Sequence, residues 1–432
     1  MSSESLNAED VGTAMHNFIA DLYPICRSIT GEGVRETLRR IQKRIPLEIH
    51  EVASGTKVFD WTVPLEWNVS DAFVKNEAGE RVIDFKANNL HLMSYSTPLQ
   101  KKMRFADLKP HLFSLPDHPN WIPYRTSYYQ ENWGFCLGHK NLEQLADGEY
   151  EVVIDSSLQP GSLTYGECYL PGESSDEVLI SCHVCHPSLC NDNLSGIAVA
   201  VQLAQKMAER PKRYSYRFLF IPGTIGSITW LARNEHNIER VKHGLVLTGL
   251  GDAGEITYKR SRQGQADIDR AMVHVLKHAG EPHAIIDFFP FGYDERQFCS
   301  PGFNLPVGCL MRTPHGQYPE YHSSADNLDF VKRDSLASSY GRCLEVFELL
   351  EHDRTYLNQN PKCEPQLGRR GLYRSIAGQQ EKQSKELALL WVLNGSDGRQ
   401  TLLDIADRAS LPFENILVAA RELEQVGLLK EC

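Results

Sequence analysis

Two stretches near the start of the chain, "DVGTAMHNFIADLYPICRS" and "GEGVRETLRRIQKRI", place apolar residues at helical spacing on either side of "ITGEG". They predict a pair of helices. The next stretch, "LEIHEVASGTKVFDWTV", alternates apolar and polar side chains and is rich in β-branched residues, which predicts a strand. Between about residues 59 and 160 the pattern changes. "FDWTVPLEW", "NNLHLMSYS", "WIPYRTSYYQENWGFCLG" and "YEVVIDSSL" are aromatic, β-rich and punctuated by proline, as expected of a β-rich domain inserted into the chain.

After the insert, apolar strands alternate with amphipathic helices. "DEVLISCH", "YSYRFLFIPG", "HGLVLTGLG" and "AIIDFFPF" read as strands, and "SGIAVAVQLAQKMAER", "SITWLARNEHN" and "ADIDRAMVHVLKHAG" read as helices. This rhythm predicts an α/β domain with a mostly parallel sheet flanked by crossover helices. A proline- and glycine-marked linker covers 357–371. Beyond it "KELALLWVLN", "TLLDIADRA" and "PFENILVAARELEQVGLLKEC" predict three short helices and a β wing, the pattern of a winged helix. The expected domains are therefore 1–58 with 161–356 for the α/β part, 59–160 for the insert and 368–432 for the winged helix.

Composition narrows the function. The chain has 432 residues, a formal charge of −11 and a pI near 5.8. That balance argues against gripping nucleic acid as its main task, since phosphate binding needs a basic face. The winged helix, with similar numbers of acids and bases, reads instead as an interaction or dimerisation module, so a homo-oligomer formed through it or through the insert is the expected assembly. No run of 18 apolar residues predicts a membrane span. The first residues lack the basic-then-apolar order of a signal peptide, so the expected address is cytoplasmic, with eleven cysteines kept as thiols.

The densest chemistry lies in "SCHVCHPSLCNDNLSG", 181–196, which begins at a predicted strand end and runs into a predicted helix. Ligands in open α/β sheets bind beyond the carboxyl ends of the strands. His183, His186 and Asp192 leave that edge together and are suited to a borderline cation such as zinc. A helix-capping Asp192 and histidines bonded to backbone carbonyls account for the same residues without a metal. Two further stretches add weight: "PEYHSSADNLDFV", 319–331, offers His322, and "FPFGYDERQF", 289–298, offers Asp294, Glu295 and Arg296.

In chain order, a strand-end histidine, a "DN-x-SG" aspartate and a "YH-x-x-x-D" histidine resemble the co-catalytic zinc aminopeptidases. A closer resemblance, nearly end to end, is to a bacterial branch of aminopeptidase-like proteins often found beside polysaccharide or natural-product genes. It is carried by "RSITGEG", "SGTKVFDWTVPLEWNV", "YYQENWGFC", "CHPSLCNDNLSG", "TIGSITWL", "DERQFCSPGFNLPVG" and "YHSSADNLDF". The resemblance implies a zinc-dependent hydrolase of small peptides or amides. It puts the ligands at His186, Asp192 and His322, although strand alignment to the wider family favours His183 over His186.

The departures matter equally. Where the wider family has two adjacent glutamates, one of them the general base, this chain reads "IPGTIGS", with Gly223 and Thr224. Where it has a later aspartate ligand, this chain has Thr248, unless Asp252 substitutes. One zinc ion rather than two is therefore expected. Glu295 is the first candidate for the base and Asp294 the second, although a structural ion pair among Asp294, Glu295 and Arg296 explains them equally well. Tyr321 is a candidate to polarise the carbonyl. Arg27, with Arg296, is a candidate to hold a substrate carboxylate. Cys185 sits where the wider family has an aspartate that orients its histidine. A metal-retaining protein without catalysis is the competing reading.

Overall fold

The Glu177–His183 strand, "EVLISCH", is buried along its whole length. A run of that kind has no solvent face and belongs in the middle of a sheet covered on both sides. In the computed structural model, which describes residues 8–372 and 379–432, it pairs in parallel with Ser215–Ile221 on one side and Val241–Leu247 on the other. Among the described residues eight strands form this sheet. Their spatial order is Glu48–Ala53, Ser162–Leu170, Ser215–Ile221, Glu177–His183, Val241–Leu247, Val307–Met311, Ile256–Lys259 and His283–Ile286. Parallel pairing holds the centre, while Glu48–Ala53, Ser162–Leu170 and Ile256–Lys259 bring antiparallel pairings. The sheet is thus mixed, with its parallel core where the site lies.

Helices flank it. Gly196–Ala208 packs on Glu177–His183, on Val241–Leu247 and on helix Ala8–Leu22, and Glu32–Gln42 and Ile225–Asn234 lie against Ser162–Leu170. In the insert, Arg81–Asp84, Glu66–Lys75, Glu149–Gln159 and Leu99–Arg104 form a separate four-stranded antiparallel sheet. One of its loops returns to the α/β domain: Ile122 and Tyr124 exchange backbone and side-chain bonds with the turn at His322–Ser324.

By internal contacts the chain divides into two compact units, one running to Ala266 and including Pro282–Gly341, the other comprising Asp267–Glu281 and Arg342–Cys432. The second unit differs from the sequence expectation in two ways. Helix Asp267–His278, expected as a crossover helix of the α/β domain, belongs here: His274 Nδ1 bonds Asp407 at 2.7 Å, and its Nε2 accepts from the Phe413 amide at 3.0 Å. Thr355–Asn358, expected as the end of the α/β domain and the start of a linker, is the central strand of a three-stranded sheet with Asp397–Thr401 and Leu429–Glu431. Both differences have one cause, since local periodicity does not say which distant surface an element will cover. Helix Leu402–Ala409 starts from a reciprocal cap between Thr401 and Asp404. No helix among the described residues is long and apolar enough to cross a membrane.

Candidate metal centre

His183 is the last residue of the Glu177–His183 strand, at the carboxyl edge of the parallel core. The chain then turns through 184–195 and enters helix Gly196–Ala208, and every residue from 181 to 196 is buried. Buried backbone of this kind must be hydrogen-bonded. Asp326 supplies part of that requirement by accepting the amides of Asn191 at 2.6 Å and Asp192 at 2.9 Å. Asn191 in turn donates to Asp252 at 3.0 Å, and Asp252 also accepts from Thr313 Oγ1 at 2.6 Å. Asp252 is therefore committed to the loop's scaffold rather than available as a further ligand.

Asp192 is the centre of the cluster. Its Oδ1 lies 2.7 Å from His183 Nε2; its Oδ2 lies 3.0 Å from His322 Nε2 and 3.9 Å from His186 Nε2. Burial opposes the charge on this carboxylate, but the imidazoles of His186, His183 and His322 outweigh it and hold the group well below its ordinary range. Burial also pushes His186 well down, so it presents a neutral lone pair. Ligand atoms of His183, His186 and Asp192 all lie within 4.8 Å of one another. Imidazoles beside a buried carboxylate are a donor set that suits a divalent cation such as zinc.

The second neighbours of the cluster differentiate its histidines. Asn193 is fixed by its Oδ1, which accepts the amides of Gly196 and Gly249, both at 3.2 Å, and its Nδ2 donates to the Leu247 carbonyl at 2.9 Å. That amino group also faces His183 Nδ1 at 3.3 Å. An Nδ1 that meets a donor is the acceptor nitrogen, which leaves the proton on Nε2, pointing at Asp192. His322 stands at φ +55°, held there by the Tyr124 amide, which donates to its carbonyl at 2.8 Å. The Tyr124 ring meets His186 and His322 edge-on, at centroid distances of 5.2 and 5.1 Å.

A cavity of about 270 Å³ opens over His186 and His322. The insert contributes Trp61, Tyr124, Thr126, Tyr128 and Tyr129 to its wall, and the α/β domain contributes Cys185, Gly223, Tyr293 and Arg296. Position 223 explains itself here. A Cβ on Gly223 would fall 1.9 Å from Tyr293 Cε1, so the phenol ring fills the space into which a side chain would grow. That ring rests on His183 at a centroid distance of 3.8 Å, and its hydroxyl lies 3.3 Å from Cys185 Sγ. Burial raises the Tyr293 phenol well above its ordinary pKa and lifts the Cys185 thiol to about 12, so both stay protonated.

Three sequence expectations are corrected. Glu295, the first candidate base, is 1% exposed, pairs with Lys259 Nζ at 2.5 Å and accepts the Tyr293 amide; it does not line the cavity. The ion pair is structural, and its cation is Lys259 rather than Arg296. Asp294, the second candidate, is fully buried and accepts from Ser227 at 2.7 Å; burial lifts its pKa to about 7. Arg27 cannot reach a substrate, because it is 1% exposed and donates to the carbonyls of His186 at 2.9 Å and Leu22 at 2.7 Å. Tyr321 stacks on His322 at 3.9 Å but stands outside the cavity lining. Arg296 is exposed and lines it.

Sequence reasoning missed Tyr124, Asn193, Tyr293 and His315. Tyr293 and Asn193 are immediate neighbours of residues already singled out, and their order beside Asp294 and Asp192 was the available signal. His315 stands seven residues before His322. Its Nε2 is buried without a partner, and burial lowers its pKa against the pull of Asp192 and Glu295. Tyr124 comes from the insert by long-range pairing and carries no local signal.

Residues 16–353 match the family described as a domain of unknown function, DUF4910, and residues 354–431 match a winged helix-turn-helix family. A Clostridium acetobutylicum protein, provisionally named for polysaccharide biosynthesis with an aminopeptidase-like domain, is 56% identical over 424 residues, 98% of each chain. The crystal structure of a C. acetobutylicum protein provisionally described as a peptidase is 54% identical with a TM-score of 0.95, over 99% of this chain and 98% of that one. A zinc aminopeptidase from Bacillus subtilis shares the fold at 13% identity and a TM-score of 0.57, over 78% of this chain and 94% of that one. The chain belongs to the DUF4910 family of aminopeptidase-like proteins, with a winged helix at its C-terminal end.

Proposed function

We propose that this protein is a zinc-dependent hydrolase of amide bonds that holds one ion through His186, Asp192 Oδ2 and His322. The observation that carries this reading is the division of the Asp192 carboxylate, with Oδ1 facing His183 and Oδ2 facing the other two imidazoles. Because Asn193 leaves the His183 proton on Nε2, His183 acts as the group that orients Asp192. Three ligands with an open position form a catalytic type of zinc site. Zinc bound there would supply Lewis acidity, polarising a carbonyl and acidifying a water molecule. Around it the insert supplies an aromatic wall. The protonated Tyr293 hydroxyl, whose donation to the Gly223 carbonyl is long at 3.5 Å, is placed to donate to a developing oxyanion.

A second reading is favoured by a specific feature: among the described residues no carboxylate lines the cavity. Gly223 and the buried Glu295 leave no acid to act as general base, as expected of a metal-retaining protein that binds without turning over. Turnover of aminoacyl and N-acyl amides by the zinc-loaded chain separates the two. The hydrolase reading expects hydrolysis that a chelator stops and zinc restores. It also expects His322→Ala and His186→Ala to lose the metal, and His183→Ala to keep it with about 10–100-fold weaker affinity. A chain that holds zinc but hydrolyses no amide belongs to the second reading.

A further inference from the structure

The charge around the cavity points to the class of amide the site accepts. Two large aromatic residues at its wall are solvent-exposed, Trp61 at 45% and Tyr129 at 49%, and they meet edge-to-face with centroids 5.3 Å apart. Exposed aromatic surface at the mouth of a cavity is a platform for a ligand's apolar part. Arg296 also lines the cavity, exposed and with no hydrogen bond or ion pair among the described residues. A second cation lies beneath: the Arg27 guanidinium donates to the backbone of His186, and its Nη2 is buried without a partner. Neither Asp294 nor Glu295 bonds to them: Asp294 is buried against Ser227, with Arg296 attracting it only through space, and Glu295 is paired with Lys259.

An enzyme that takes a free amino terminus must meet an ammonium group, and the chemistry for that is a carboxylate. Here the described lining offers none, and an arginine stands instead. A guanidinium is matched to a planar carboxylate, and a volume of about 270 Å³ suits a compact molecule rather than a folded polypeptide. Resting on the hydrolase reading above, we propose that the site takes N-acylated amides bearing a free carboxylate, the N-acyl amino acid class. Arg296 holds the carboxylate and Trp61 and Tyr129 hold the apolar part. Water adds across the amide: the acyl carbon gains a C–O bond as its C–N bond breaks, and the leaving nitrogen takes a proton. The products are a carboxylate and a free amino acid.

The test uses three matched compounds on the zinc-loaded full chain: N-acetyl-L-phenylalanine, N-acetyl-L-phenylalaninamide and L-phenylalaninamide. The first is expected to have the highest kcat/KM. Arg296→Ala should lower it by about 10–100-fold, chiefly through KM, while leaving the neutral carboxamide within about twofold, and Arg296→Lys should fall between. Preference for L-phenylalaninamide, or an equal loss on the acid and the carboxamide, overturns the assignment. Calorimetric titration of N-acetyl-L-phenylalanine and its carboxamide separates this from the hydrolase reading. If no amide turns over but the acid binds selectively through Arg296, the ligand class stands and the hydrolase fails. Equal binding of acid and carboxamide sinks the ligand class itself.

Discussion

Two banks face each other across the cavity and are built on different principles. One bank, residues 181–196 with the turn at His322, gathers polar groups that satisfy one another around a single charged carboxylate, Asp192. The other, 221–227 with 289–298, carries two carboxylates as well, but each is withdrawn from the cavity, Asp294 by burial and Glu295 by Lys259. The difference lies in the partners: Asp192 is surrounded by imidazoles, which share a metal with a carboxylate, whereas Asp294 and Glu295 meet a hydroxyl and an ammonium, which do not. Asp192 turns Oδ2 to the imidazoles of His322 and His186, whereas Glu295 has its oxygens committed to Lys259 and the Tyr293 amide.

The sharpest way to break this contrast is Glu295→Gln. If Glu295 is half of a buried pair, removing its charge strands Lys259 and lowers stability by ~3–5 kcal/mol in denaturant unfolding. Unchanged stability with lost turnover would make Glu295 a base after all. A smaller effect is expected from Asp294, whose folded pKa near 7 stands above its unfolded value. Between about pH 4 and pH 7 the unfolded chain therefore binds fewer protons than the folded one. The stability this group provides is complete below about pH 4 and is lost as pH rises through 7. Compared with Asp294→Asn, the wild type should lose up to roughly 4 kcal/mol across that interval, and parallel stability curves would contradict the burial. The smallest effect is at Gly223. Alanine there must displace Tyr293 from His183, at a cost of ~1–3 kcal/mol measured by thermal unfolding. A Gly223→Glu variant gains no base, because the same ring bars its side chain; an active and stable variant would refute that packing.

The first bank was legible in the sequence because all of it but His322 lies within sixteen positions between a strand and a helix, and both elements announce themselves through periodicity. The carboxyl edge of the sheet follows from that pattern alone. The second bank was not. "YDERQF" shows two acids and an arginine side by side, but the decisive partner, Lys259, comes from a different strand and was never singled out. Arg27 misled for a similar reason, since a guanidinium that ties down backbone carbonyls looks, in sequence, like one that waits for a substrate. Tyr124 and the displaced helix Asp267–His278 depend on contacts made across long stretches of chain, which local spacing does not encode.

Metal stoichiometry tests the central claim most directly. Elemental analysis of the purified full chain should find about one zinc ion per chain after reloading. In Asp192→Ala it should find none, while circular dichroism shows the fold retained. A wild-type chain that cannot be loaded with zinc, or an Asp192→Ala chain that keeps it, would contradict the account.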